Sequence, residues 1–411
     1  MRAALVVTGT EVLEGRVQDE NGATLGRWLT GAGVAVERIT VVGDDLAAIS
    51  AAVGEALGSG VDLVVTTGGL GPTHDDRTME AVAVATGRSL AVHEGALAMV
   101  TRALAAAPAG ASGAALAEGG RKQATLPEGA TVLPPAGSAP GAVVPHGGGV
   151  VVVLPGPPWE CLAVWRTALR VPAVARVIGA DPDAAPVAVM MADVVESEFM
   201  DAMGALQPEA HGLVVGVCAR PGELEVTVRP PGPGADAFVA GLSVSFPGAI
   251  FSTEGARVEE VVGRLLAARG NTLGTAESCT GGLIGALLTS VPGSSAWYAG
   301  GVVSYADAVK HSVLGVPGAL LREHGAVSAE VAGAMAAGAR ERLGCDWAIS
   351  VTGIAGPDGG RPAKPVGLVY VGIAGGGTVT VTEARLHGDR ARIRLRASTM
   401  AMHALRTALE A

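Results

Sequence analysis

The sequence predicts an α/β protein divided into three domains, and three observations lead to this prediction. Apolar strand-like runs alternate with helical apolar spacing along residues 3–67, a pattern typical of a parallel sheet with crossover helices. The alternation returns after residue 258, whereas residues 185–250 combine short strands and two helices in a small α+β module. A chain of 411 residues is long enough for two or three domains, which we expect at residues 1–172, 173–252 and 253–411.

The elements of the first domain follow from its apolar spacing. We predict strands at residues 3–8, 34–42, 61–67 and 150–154, and helices near residues 23–29, 46–57, 78–86 and 161–169. An alanine- and glycine-rich stretch at residues 103–120 predicts a helix followed by a loop. The first three strands end at residues 9–11, 43–45 and 67–78, and ligands of α/β sheets bind at such carboxyl ends.

The segment of residues 67–78 is the richest in chemistry in this half of the chain. Its glycines allow the backbone to approach a ligand closely, and Thr73 could donate a hydrogen bond to a phosphate. Asp75 and Asp76 could hold a divalent cation that bridges to a pyrophosphate. The alternative is that these two carboxylates only cap the helix that follows.

The third domain is organised around residues 275–282, a hydroxyl-rich turn that ends in two glycines. A strand predicted at residues 271–273 precedes the turn and a helix follows it, so backbone amides and the positive helix end would face a ligand above the turn. A phosphate or a developing oxyanion would suit this position. The alternative is an ordinary strand–turn–helix junction with a serine or threonine as helix N-cap.

Two residues of this turn compete as nucleophile. Cys279 is intrinsically the better one, but it has no evident histidine partner. Ser278 needs a base, and Lys310 could serve because it follows Asp307 by one helical turn and partial burial would lower its pKa. The alternative for Lys310 is a solvated surface lysine. On this chemistry we favour Ser278.

Three further side chains could complete such a site. Tyr305 and Thr352 stand at the ends of predicted strands, from which they could orient the nucleophile and its base. Arg394 lies on a predicted terminal helix and could bind a phosphate through two hydrogen bonds.

The composition argues against several classes of function. A formal net charge of −10 and an aromatic content of 3% disfavour direct nucleic-acid binding, which depends on positive charge and often on stacking. The four cysteines are far apart and predict neither a zinc site nor a disulfide framework. No signal peptide and no membrane-spanning run are predicted, so we expect a cytoplasmic protein that does not contact a membrane.

Several long motifs follow one another along nearly the whole chain. In the carboxyl half they are TAESCTGGLIGALLTSVPGSSAWYAGGVVSYADAVKHSVLGV, HGAVS, SVTGIAGPDGG and KPVGLVYVGIA. In the amino half they are GTEVLEGRVQDEN, VGDD, TTGGLGPTHDDRTMEA and LPGPPWE. In this order the motifs resemble the CinA (competence/damage-inducible protein) family, whose amino domain is similar to the MoaB/MogA fold. The resemblance therefore implies a MoaB/MogA-like amino domain, a small KH-like α+β middle domain and an α/β amidohydrolase carboxyl domain.

For the carboxyl domain the resemblance implies hydrolysis of nicotinamide mononucleotide to nicotinic acid mononucleotide and ammonia, without a cofactor. It makes Ser278 the nucleophile and Lys310 its general base, supported by Tyr305 and Thr352. Substrate contacts are implied for Thr280, Gly281, Gly282, Gly353 and Arg394, although Arg390 and Arg392 are close to the last of these.

For the amino domain the resemblance implies cleavage of ADP-ribose to AMP and ribose 5-phosphate with a divalent cation of the Mg, Mn or Co class. The implied metal ligands are Glu11, Asp44, Asp75 and Asp76, and the implied substrate contacts are Gly68, Gly69, Gly71, Thr73, Pro140 and Gly141. The alternative is a domain that only binds a pterin or a nucleotide.

Two departures from the family pattern concern the amino domain. The family's Asp-Thr-Asn stands here as Asp19-Glu20-Asn21, and a proline (Pro134 or Pro135) replaces the usual Asn before the Gly-x-Ala-Pro-Gly turn. The resemblance also implies a homodimer. A non-enzymatic protein associated with competence and DNA repair is the remaining alternative for the whole chain.

Overall fold

The computed structural model describes residues 1–105, 113–178 and 186–411. It divides the chain into two compact units, Met1–Pro186 and Val187–Ala411. The division of the second unit into a middle and a carboxyl domain stays a prediction, although this unit contains two separate sheets. Among the helices of the described ranges, none is both long enough and apolar enough to cross a membrane.

The first unit is built from eight strands and eight helices within its described residues. The strands are β1 (Arg2–Thr8), β2 (Ala35–Val42), β3 (Leu63–Thr67), β4 (Leu90–Val92), β5 (Thr125–Pro127), β6 (Thr131–Leu133), β7 (Gly141–His146) and β8 (Gly149–Leu154). The helices are α1 (Thr10–Leu13), α2 (Asn21–Gly31), α3 (Leu46–Gly58), α4 (Thr78–Thr86), α5 (Glu94–Ala105), α6 (Gly113–Gln123), α7 (Pro158–Ala168) and α8 (Pro172–Ile178). Residues 106–112, in the predicted helix and loop of residues 103–120, lie outside the described residues.

The main sheet of this unit has the order β2-β1-β3-β8-β7-β6. The first four strands are parallel, as the strand–helix alternation predicted. Strands β7 and β6 are antiparallel additions that the sequence prediction did not include. Only residues 147 and 148 separate β7 from β8, and so short a connection permits a hairpin but no parallel crossover.

The second unit contains nine strands and eight α-helices. The strands are β9 (Val187–Ala192), β10 (Val214–Arg220), β11 (Glu223–Arg229), β12 (Ile250–Ser252), β13 (Leu273–Glu277), β14 (Tyr298–Val303), β15 (Trp347–Gly353), β16 (Leu368–Gly375) and β17 (Thr378–Arg385). The helices are α9 (Glu196–Leu206), α10 (Pro233–Ser245), α11 (Val258–Arg269), α12 (Leu283–Thr289), α13 (Asp307–Ser312), α14 (Gly318–His324), α15 (Ala329–Leu343) and α16 (Arg390–Glu410).

The two sheets of this unit differ in direction. The smaller one, β10-β11-β9-β12, is antiparallel throughout. The larger one has the order β14-β13-β15-β16-β17, with β13 parallel to both of its neighbours and the last two strands antiparallel. Apolar residues of α11, α12 and α16 form one core of the larger sheet, and those of α15 belong to a second core. The carboxyl end of β13 is therefore central in this part of the fold.

Strand β13 corrects the prediction of a strand at residues 271–273. The strand extends to Glu277, all five of its residues are buried, and it pairs with a parallel strand on each side. Its last four residues read Gly-Thr-Ala-Glu, in which Ala276 is the only apolar residue, too few for a buried strand to be recognised. The turn therefore begins at Ser278, three residues later than predicted.

Candidate functional site

Ser278 follows the last residue of β13 and lies at the carboxyl end of that strand. Its amide donates to the carbonyl of Val351 on β15 at 2.9 Å, which fixes the start of the turn against the neighbouring strand. Gly281 and Gly282 then adopt φ angles of 63° and 93°, a left-handed conformation that glycine adopts at little cost. These two glycines let the chain reverse sharply into α12.

The carboxylate of Glu277 occupies the amino end of α12. It accepts hydrogen bonds from the amides of Gly282 (2.9 Å), Ile284 (3.0 Å) and Gly285 (2.9 Å). The expectation that the helix amides face a ligand is therefore wrong, because a buried side chain of the protein already binds them. Within the part of the chain that the structure describes, the amides of Cys279 and Thr280 donate to no protein acceptor. Of these two residues only Cys279 lines a pocket, so its amide is the donor of this turn that remains available to a ligand.

Lys310 is one of the most deeply buried charged residues of this unit, with an exposed fraction of 1%. Its Nζ donates to the carbonyl oxygens of Ser304 (2.9 Å) and Tyr305 (3.1 Å) and lies 3.6 Å from Oδ1 of Asp307. Burial lowers the pKa of Lys310, and the Asp307 carboxylate opposes this effect in part. The alternative of a solvated surface lysine is therefore wrong.

A pocket of about 250 Å³ brings the predicted residues together. Ser278, Lys310, Tyr305, Thr352 and Gly353 all line it. The hydroxyl of Thr352 donates to the carbonyl of Ala326 at 2.7 Å, so this side chain is held by a neighbouring loop. Among the described residues no hydrogen bond joins the side chains of Ser278 and Lys310, and such contacts are often long until a substrate is bound.

The arginine in this pocket is Arg390, whereas Arg394 lies outside its lining. Arg390 donates to the carbonyl of Gly356 (2.7 Å) and to the hydroxyl of Tyr305 (3.0 Å). Arg394 instead donates to the carbonyl of Thr280 at 2.7 Å and so stabilises the backbone of the turn. The two arginines are one turn apart on α16, and helical spacing alone could not decide which of them reaches the pocket.

Three predicted substrate contacts of the turn, Thr280, Gly281 and Gly282, also lie outside the pocket lining. The Thr280 hydroxyl is buried, and the structure records no hydrogen-bond partner for it within the described residues. Cys279 is buried beside Ser278, and burial raises the pKa of its thiol to about 11. A thiol with so high a pKa carries almost no thiolate at neutral pH, which favours Ser278 as nucleophile.

The first unit has its own cavity of about 610 Å³ at the carboxyl ends of β1, β3 and β8. Gly68, Gly69 and Gly71 line it, as do Glu11 and Asp76. One wall is fixed by the side-chain amide of Asn21, which donates to the Thr67 hydroxyl (2.9 Å) and the Gly156 carbonyl (2.7 Å).

The four predicted metal ligands do not meet in this cavity. Asp44 accepts hydrogen bonds from the amide and the hydroxyl of Thr10, Asp75 accepts one from the hydroxyl of Thr73, and neither of these aspartates lines the cavity. In residues 1–105, 113–178 and 186–411 no group of three or more His, Cys, Asp or Glu side chains could hold a metal ion. Local threonines satisfy these carboxylates, which spacing along the sequence could not reveal.

The remaining predicted contacts of the first unit lie beside or behind this cavity. Thr73 does not line it, and Pro140 borders a smaller neighbouring pocket of about 150 Å³. Gly141 begins β7, where an added Cβ would lie 2.6 Å from the carbonyl oxygen of Val153. Gly141 thus serves the close approach of two strands.

Two sequence models of known families match the chain, one within each of its two compact units. The sequence model of the "CinA C-terminal domain" matches residues 255–409, and that of the "Probable molybdopterin binding domain" matches residues 4–176. A CinA-like protein of Mycolicibacterium vanbaalenii is 45% identical and is aligned over 99% of this chain and 98% of its own length. The chain belongs to the CinA family. A CinA-like protein of Mycobacterium tuberculosis is 42% identical over 99% of this chain and 97% of its own.

Solved structures of CinA proteins also match part of the chain. The competence/damage inducible protein CihA of Agrobacterium tumefaciens is 40% identical and covers 38% of this chain and 98% of its own, with a TM-score of 0.36. A CinA protein of Thermoplasma acidophilum is 38% identical and covers 41% of this chain and 96% of its own, with a TM-score of 0.37.

Glu277 was not singled out in the sequence, although it lies within the CinA motif. Replacing it with Gln should lower the stability of the second unit by about 2–4 kcal/mol, because three buried or partly buried amides lose a charged acceptor. Thermal unfolding of the full chain measures this as a drop of several degrees in the transition of that unit. The control is Glu383→Gln on the exposed strand β17. Equal melting temperatures for both variants would contradict the assignment.

Proposed function

We propose that the carboxyl part of this CinA chain hydrolyses the carboxamide of nicotinamide mononucleotide to nicotinic acid mononucleotide and ammonia. The observation that carries the proposal is the pocket in which Ser278 meets a buried lysine of lowered pKa. Serine needs an adjacent base to act as a nucleophile, and a lysine of lowered pKa can supply one at moderate pH.

The hydrogen bonds of Lys310 suit this role in its neutral form. A neutral amine has two N–H groups and one lone pair, and its Nζ has two carbonyl acceptors, those of Ser304 and Tyr305. The two N–H groups satisfy these carbonyls. The lone pair is then free to accept the proton of the Ser278 hydroxyl.

The reaction follows in two steps. Ser278 Oγ forms a bond to the carboxamide carbon while its proton passes to Lys310, and the negative charge develops on the carboxamide oxygen. The unpartnered amide of Cys279, which lines the pocket, is the backbone donor that we assign to this oxyanion. Lys310 returns the proton to the departing nitrogen, and ammonia leaves. Water then attacks the acyl-serine, with Lys310 as base, and releases the carboxylic acid and free Ser278.

Arg390 is the proposed contact for the phosphate of the substrate, because it is the arginine that lines the pocket. Arg390→Lys should raise KM for nicotinamide mononucleotide by about tenfold and change kcat less, since one of two charge-assisted hydrogen bonds is lost while the reacting groups stay in place. The measurement is steady-state ammonia release. Arg385→Lys, on β17 outside the pocket, is the matched control. An unchanged KM for Arg390→Lys would remove Arg390 from the proposal.

A second candidate function concerns the cavity of the amino half, where we propose the cleavage of ADP-ribose. Its volume of about 610 Å³ and its glycine-rich wall favour this function, because such walls bind pyrophosphates through backbone amides. The residues present do not form a complete site for the expected Mg, Mn or Co class cation, since only Glu11 and Asp76 of the four carboxylates line the cavity. We therefore derive no step through a metal.

AMP release from ADP-ribose tests this second function. Asp76→Asn should reduce it by at least about 100-fold if the carboxylate acts on the substrate, whereas Glu14→Gln, outside the cavity, should not. Ser278→Ala should leave it unchanged, which separates the two functions. Absence of AMP with the wild-type chain at any divalent cation would leave a domain that only binds a pterin or a nucleotide.

A further inference from the structure

The second unit contains another cavity, of about 460 Å³, which shares no lining residue with the pocket around Ser278. Three segments of the same unit form it: residues 193–195 after β9, residues 219–224 at the turn from β10 to β11, and the first turns of α16. It is larger than the Ser278 pocket, and its volume is in the range of sites for small molecules.

Guanidinium groups give this cavity its chemical character. Arg392 and Arg396 of α16 line it from positions four residues apart, which places both on one face of the helix. In the described part of the chain neither of them forms an ion pair. Arg220 lines the cavity as well, but its Nε donates to Glu225 at 2.7 Å. Two arginines thus remain for an anionic ligand in a chain whose net charge is −10.

Two carboxylates on the wall restrict the identity of that ligand. Glu223 is engaged, because its Oε1 lies 3.0 Å from Nε2 of His403. Asp193 has no ion-pair partner among the described residues, and its φ of 57° is unusual for a residue other than glycine. A carboxylate beside two arginines repels a bare anion, but it can accept hydrogen bonds from hydroxyl groups.

The lining contains no aromatic side chain on which a nucleobase could stack. We propose that this cavity binds a small phosphorylated sugar. Arg392 and Arg396 bind its phosphate, and Asp193 accepts hydrogen bonds from its hydroxyl groups. The site is separate from both proposed hydrolytic sites and does not depend on either activity.

Calorimetric titration of the full chain with ribose 5-phosphate, ribose and inorganic phosphate tests this proposal. The wild-type chain should bind ribose 5-phosphate, and Arg392→Gln/Arg396→Gln should weaken that binding by at least about tenfold. The control is Arg322→Gln/Arg385→Gln, which removes the same charge outside the cavity and should bind like the wild type. No binding to the wild type, or equal binding by the Arg392→Gln/Arg396→Gln variant, would overturn the site.

Asp193→Asn tests the sugar part of the assignment. Asn tolerates the left-handed backbone that Asp193 adopts, so the fold at this position is preserved. We expect weaker binding of ribose 5-phosphate and no loss of binding for inorganic phosphate. Two results would overturn the role of Asp193. One is tighter binding of ribose 5-phosphate by this variant than by the wild type. The other is wild-type binding of inorganic phosphate that is as tight as its binding of ribose 5-phosphate.

Discussion

Ser278→Ala is expected to reduce ammonia release from nicotinamide mononucleotide by at least about 1,000-fold, because the hydroxyl oxygen is the atom that attacks the carboxamide. The matched control is Cys279→Ala at the next position. It should keep most of the activity, since burial raises the pKa of this thiol to about 11 and leaves it protonated. Ammonia is measured under saturating substrate for both variants and the wild type.

The reverse pattern would contradict this account. If Cys279→Ala were inactive and Ser278→Ala active, the thiol would be the nucleophile in spite of its burial. If the folded wild-type chain released no ammonia, the pocket around Ser278 would be a binding site without this activity.

Lys310→Met is expected to reduce ammonia release by about 100- to 1,000-fold or more, because the proposed mechanism makes the Lys310 amine the base that accepts the Ser278 proton. Met keeps an unbranched side chain as far as the ε position and removes the amine. Lys364→Met is the matched control, since Nζ of Lys364 also donates to two backbone carbonyls, those of His324 and Val327 at 2.6 Å each, but lies outside the pocket lining.

This comparison separates catalysis from folding. Both substitutions leave two carbonyl groups without their lysine donor, so both should affect stability in a similar way. Only Lys310→Met should lose activity beyond the fraction of chain that unfolds. Equal activities of the two folded variants would show that Lys310 has a structural role alone.

The helices of this chain were largely predictable from the sequence. Helix α4, for example, spans Thr78–Thr86 as predicted, and Gly87 ends it with a φ of 66°. The strands of the first unit between residues 90 and 146 were missed, as were the last four residues of β13. Strands of three residues, and strands of polar residues buried by their neighbours, carry too little apolar pattern to be recognised.

For the candidate site, the sequence predicted the nucleophile and its base, but it did not predict how the fold positions the residues around them. Ser278 and Lys310 were placed in one pocket by their motifs, and the structure brings them there. The choice between Arg390 and Arg394 depends on how α16 lies against the sheet, which no local pattern contains. In the same way, the Glu277 carboxylate accepts the hydrogen bonds of the α12 amides because Glu277 is the last residue of β13, directly before the turn.

The pH dependence of kcat/KM for nicotinamide mononucleotide, compared between the wild-type chain and Asp307→Asn, tests the central claim most directly. Asp307 raises the pKa of Lys310 against the larger effect of burial, so its removal must lower that pKa further. If neutral Lys310 is the base, activity rises with pH as the lysine loses its proton, and in Asp307→Asn this rise should move by about half a unit to lower pH. In the control Glu383→Gln, the rise of kcat/KM should stay at the wild-type pH. A rise that stays at the wild-type pH, or moves to higher pH, would contradict a mechanism in which Lys310 deprotonates Ser278.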